Sequence, residues 1–98
     1  MVDVKKLKIL IAEDNKADCL IINKIVQGQG YLTVIAHNGF EAIDQFLKEK
    51  PDIILMDALM PKMDGFEAAK QIKLLVEDDF VPILFLTSLN DDISLVSC

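Results

Sequence analysis

The sequence predicts a doubly wound α/β domain built on a parallel sheet. Four short apolar runs rich in Ile, Leu and Val recur along the chain: Ile9–Ala12, Leu32–Ile35, Ile53–Met56 and Ile83–Leu86. Runs this short, bounded by turn residues, fit strands buried on both faces. Segments of helical spacing separate them, and strict alternation of strand and helix implies right-handed crossovers with helices on both faces of the sheet. Length agrees, since 98 residues make one domain over residues 1–98. A chain of that size buries roughly 60–65% of its unfolded surface and holds a core without disulfides or metals.

The first strand runs into Glu13, Asp14 and Asn15. The first helix is expected from Lys16 to Gln27, where Ile21/Ile25 and Ile22/Val26 are i,i+4 pairs and Gly28 and Gly30 supply the stop. Cys19 on this helix reads as a small buried hydrophobe. The second run is the most mixed and suits a sheet edge, and His37 after it reads as a surface-loop residue. The second helix is expected from Asn38 to Lys48, with Ala42, Ile43, Phe46 and Leu47 on one face. Asn38 with Glu41 forms a capping box, and Pro51 follows the end. Asp57 follows the third strand. The third helix is expected from Asp64 to Glu77, started by Asp64 and Glu67, with Phe66, Ala69, Ile72 and Val76 at helical intervals. Phe46, Phe66 and Phe40 are assigned to the core, and Asp78–Asp79 to a solvated turn. Thr87 and Ser88 follow the fourth strand, and a last helix is expected near Asn90, with Asp91 and Asp92 in its first turn.

Charge narrows the function. Ten lysines, no arginine and 16 acidic residues give a net charge of −6. That balance argues against binding a phosphate backbone, which needs clustered Lys and Arg, and against an anionic membrane surface. The longest apolar stretch, Phe80–Leu86 with Pro82 counted in, is far short of the roughly 20 residues of a bilayer span. The N-terminus lacks the apolar region of a signal peptide, and Cys19 and Cys98 make no disulfide framework. A reduced, cytoplasmic protein is expected.

In open parallel sheets, ligands bind outside the carboxyl ends of the strands. Glu13, Asp14 and Asp57 fall there, on two strands expected to be neighbours. Any one of them alone could be a solvated loop acid. Three converging on one crevice make a like-charge cluster in which a pKa must rise unless a cation neutralises it. Hard oxygen ligands suit Mg²⁺, which keeps several waters and is often shared with a phosphate. A carboxylate beside that ion can act as a nucleophile toward a phosphoryl group, with a hydroxyl such as that of Thr87 as hydrogen-bond donor.

Three blocks carry a family resemblance. Ile9-Leu10-Ile11-Ala12-Glu13-Asp14-Asn15, then Met56 through Glu67, then Leu86-Thr87-Ser88 resemble the receiver domain of two-component response regulators, over essentially the whole chain. The family pattern D-x-x-M-P-x-M-D-G is matched at every defined position from Asp57 to Gly65, and Glu13-Asp14 is a common variant of the acidic pair. The resemblance implies a flavodoxin-like sheet of order 2-1-3-4, with the fifth strand missing from this chain. It implies Asp57 as phosphoacceptor, Asp14 as a direct Mg²⁺ ligand, Glu13 as one acting through water, the Leu59 carbonyl as a further ligand and Thr87 as the switch hydroxyl. Pro61 and Gly65 would shape the loop after Asp57. The implied partners are a sensor histidine kinase or histidine phosphotransfer protein and an output domain of unknown kind.

The resemblance breaks at the C-terminus, because the family's fifth strand, the lysine ending it and the fifth helix would lie past Cys98. Lys62 sits in the loop beyond Asp57 and is not expected to replace that lysine. Either a fragment of a longer protein or a truncated receiver is expected, the fragment being preferred, and it would be open to dimerisation through the fourth-strand edge. Leu59 and Leu89 are expected to flank the path of a hydrolytic water and to prolong the phosphorylated state. Other classes fit less well. An aspartate-nucleophile phosphatase wants an acid where Leu59 stands, and Glu13-Asp14 would repel a flavin phosphate. The alternative reading is a pseudo-receiver that docks proteins without phosphorylation; no enzyme in the turnover sense is expected.

Overall fold

A computed structural model describes residues 6–60, 62–76 and 80–86. Strands β1 (Lys8–Ala12), β2 (Leu32–Ala36), β3 (Ile53–Asp57) and β4 (Ile83–Leu86) alternate with helices α1 (Lys16–Gly28), α2 (Gly39–Glu49) and α3 (Gly65–Leu75). All strand pairs are parallel, and the sheet order is β2-β1-β3-β4, so β2 is an edge strand as its mixed sequence suggests. This is the order expected of a flavodoxin-like sheet, over its four described strands.

Period-two alternation in β1 splits the core. Leu10 and Ala12 face α2 and α3, packing with Ala36, Ile54, Met56, Ala42, Ala68 and Ile72. Ile9 and Ile11 face α1, packing with Cys19 and Val26. Cys19 is the buried small hydrophobe expected of it, its thiol pushed up by burial and then by the charge of Glu13.

The helix starts follow the cap signals. The Asn38 and Asp64 side chains accept the Glu41 and Glu67 N–H groups at 2.9 and 2.8 Å. Asn15 does the same for α1, accepting from Asp18 N–H at 2.9 Å. The apolar stripes are less well anticipated. In α3 the buried residues are Gly65, Ala68, Ala69 and Ile72. Phe66 lies one position off that stripe, about 100° round the helix, and is 59% exposed. In α2 the inward face runs through Gly39, Ala42, Ile43 and Phe46, which leaves Phe40 and Leu47 exposed. Phe46 packs on the core as expected, whereas Phe40 and Phe66 do not. In β4 both Leu84 and Phe85 are exposed, so this run is not covered on both faces by described residues. Phe85 meets the exposed Phe66 ring at a centroid distance of 4.7 Å.

Pro61, Glu77, Asp78–Asp79, Thr87, Ser88, Leu89, Cys98 and the helix expected near Asn90 lie outside the described residues.

Candidate metal and phosphoryl site

Strand register assembles the site. Ala12 is level with Met56 across the β1–β3 pair, so the residues that follow, Glu13 and Asp57, leave the sheet side by side. Asp14 comes next on the loop into α1. One carboxylate oxygen from each of Glu13, Asp14 and Asp57 lies within 4.8 Å of the others. Glu13 is buried, Asp57 is half-buried and Asp14 is exposed, which leaves the cluster open to solvent on one side.

The carboxylates are only partly satisfied by the chain. Glu13 Oε2 accepts the Asn15 N–H at 3.1 Å, and Asp57 Oδ1 accepts the Leu59 N–H at 3.2 Å. Burial is the main reason Glu13 is pushed up from 4.5 to about 7, and the neighbouring Asp57 and Asp14 push the same way against the stabilising Asn15 N–H. Asp57 is also raised, first by burial, although a hydrogen bond from Glu13 and the Leu59 N–H oppose the shift. Both carboxyls therefore sit above their ordinary range, with burial as the main cause. Hard oxygen donors, close spacing and crowded like charge are what a divalent cation neutralises. The residues fit Mg²⁺.

The loop after β3 is held close. The Gly65 N–H donates to the Ala58 carbonyl at 2.9 Å. A Cβ on Gly65 would run into the Asp57 carbonyl oxygen, so no other residue fits there without moving the strand end. Met60 is buried in the core and anchors the loop from beneath. Lys62 adopts a left-handed φ of 70° and is exposed. Leu59 is 78% exposed beside Asp57.

Of the residues singled out in the sequence, Glu13, Asp14 and Asp57 come together and Leu59 borders them. Two contributors were missed. Asn15 caps α1 while its N–H steadies Glu13, a role signalled by the Asn-x-x-Asp spacing to Asp18. His37 places ring Nδ1 3.3 Å from the Glu13 carbonyl; its only signal is the register of Ala12 with Ala36, which sets residues 13 and 37 abreast.

Comparison with known proteins agrees with this geometry. The family model of the response regulator receiver domain matches residues 9–98. Hybrid signal transduction histidine kinase B of Dictyostelium discoideum is 43% identical over 74 residues, which cover 76% of this chain and 4% of that protein. Sporulation initiation phosphotransferase F of Bacillus subtilis is 34% identical over 84 residues, covering 86% of this chain and 66% of that protein. The chain thus spans less than two thirds of these relatives' own lengths. The crystal structure of the response regulator domain of Thermotoga maritima CheB superposes with a TM-score of 0.76 at 26% identity, covering 93% of this chain and 69% of that one. With the carboxylate cluster and the sheet order agreeing with that family match, the chain belongs to the response regulator receiver domain family.

Proposed function

We propose that this chain accepts a phosphoryl group on Asp57 in a Mg²⁺-dependent reaction and acts as the switch of a two-component phosphorelay. The observation that carries the reading is the cluster of Glu13, Asp14 and Asp57 oxygens within 4.8 Å of one another, with Glu13 raised to about 7. Glu13, Asp14, Asp57 and the Leu59 carbonyl would hold the ion. Bound Mg²⁺ would neutralise the carboxylates and the charge on the incoming phosphoryl oxygens. An Asp57 carboxylate oxygen then attacks phosphorus, the P–N bond of a phosphohistidine breaks, and the imidazole leaves with a proton from solvent. Thr87 is assigned the hydroxyl that moves to the phosphoryl group, biasing a two-state element.

The donor class is a histidine kinase or a histidine phosphotransfer protein, in keeping with the hybrid kinase and the phosphotransferase among the relatives. The output is of unknown kind, and residues 1–98 act as one receiver unit in the cytoplasm. Among the described residues, no helix is long and apolar enough to cross a membrane. The exposed Leu84 and Phe85 of β4 suit pairing with a second chain when nothing else covers them. Leu59 offers an attacking water no hydrogen bond, so the phosphoryl group is held for long periods.

Incubation with Mg²⁺ and a small acyl phosphate, followed by peptide mapping, tests the assignment. Label is expected on Asp57 alone and is lost in Asp57→Asn or on chelation of Mg²⁺. Stable label on Asp57→Asn overturns it.

A further inference from the structure

The corner between β2 and α2 touches both loops that carry the carboxylates. On one side it takes both main-chain polar groups of Glu13. The Glu13 N–H donates to the Ala36 carbonyl at 3.0 Å, and the Glu13 carbonyl lies 3.3 Å from His37 Nδ1. A carbonyl only accepts, so Nδ1 carries the hydrogen and donates it. On the other side, Gly39 lies against the loop that follows Asp57: a Cβ there would sit 2.6 Å from the Met63 carbonyl oxygen. The corner is itself fixed, because the His37 N–H donates to Glu41 Oε1 at 2.9 Å and the buried Asn38 accepts from the Glu41 N–H at 2.9 Å.

We infer that His37 is a positioning residue for the carboxylate cluster. Its ring holds the Glu13 main chain while Gly39 seats the same corner against Met63, so the corner sets how closely Glu13 approaches Asp57. The inference rests on the cation reading given above. The His37 ring is exposed and adds little to the core, so its loss separates positioning from folding.

Mg²⁺ alone, titrated into the ¹⁵N-labelled chain and followed at the Glu13 and Asp57 amides, is the test. Removing one neutral hydrogen bond predicts that His37→Ala binds Mg²⁺ about three- to tenfold more weakly. His37→Asn, whose amide nitrogen can take the place of Nδ1, should bind within about twofold of the unsubstituted chain on the same grounds. In a chelator His37→Ala should melt lower by no more than about 4–8 °C, because the hydrogen bond is already made without the ion, whereas a purely structural role would lower the melting temperature and leave Mg²⁺ affinity unmoved. Unaltered affinity in His37→Ala, or equal weakening in His37→Asn, overturns the inference and leaves the cation reading standing. No Mg²⁺-dependent shift in the unsubstituted chain overturns both.

Discussion

At its two ends the sheet treats acidic residues in opposite ways. Where the strands begin, Asp52 Oδ2 accepts the Lys8 N–H at 2.8 Å, and Glu49 pairs with Lys8 Nζ at 3.2 Å. Where they finish, Glu13, Asp14 and Asp57 crowd together. The ion pairs of the described residues, Lys8–Glu49 and Lys48–Asp44, both lie away from that cluster. The first end is closed within the chain and serves stability. The second leaves negative charge uncompensated, a cost to the fold that a bound cation would remove.

The largest effect expected from this contrast is on Asp14→Asn. Taking one carboxylate from the cluster should weaken Mg²⁺ binding at least tenfold, about 1.4 kcal/mol, by calorimetric titration. It should also raise the melting temperature of the metal-free chain by about 2 °C or more, because like charge is relieved. A lower melting temperature would show that the cluster is compensated after all.

Proton linkage gives the next effect. Glu13 titrates at about 7 in the folded chain against 4.5 ordinarily, so between those values the folded chain keeps a proton the unfolded chain has lost. Stability of the metal-free chain should therefore fall as pH rises from 4.5 to 7, by about 1 kcal/mol in urea melts once solvent screening is allowed for. Saturating Mg²⁺ should flatten the curve above pH 6. A profile that rises over this window without Mg²⁺ breaks the argument.

The closed end should respond in the reverse sense. Asp52→Ala leaves the Lys8 N–H without its acceptor and should cost about 1–2 kcal/mol, with Mg²⁺ affinity unchanged. Glu49→Gln breaks a partly exposed ion pair and should move stability by about 0.5 kcal/mol or less. Loss of Mg²⁺ affinity in either variant would mean that the two ends are coupled.

The parts of the molecule that were legible in sequence are those set by local chemistry. Four Ile/Leu/Val runs gave the strands, and Asn38 and Asp64 with their glutamates marked two helix starts. The cluster was legible because it needs only two neighbouring strands ending level. What escaped depended on the packing partner. Phe66 and Phe40 are apolar and helical, yet each sits one position off the buried stripe, and periodicity with a few large residues tolerates that shift. Leu84 and Phe85 read as a central strand from composition, while burial depends on what lies alongside. His37 carries no pattern of its own; only the parallel pairing of β1 with β2 brings it to Glu13.

The level register of β1 and β3 has a consequence for folding as well as for chemistry. A slip of one residue would carry Asp57 about 3.3 Å along the strand and turn its side chain to the opposite face. No cation could then bridge it to Glu13. A Mg²⁺ response is thus a proofreader of strand alignment: in refolding it should return only after the sheet has paired correctly, later than the recovery of helical signal.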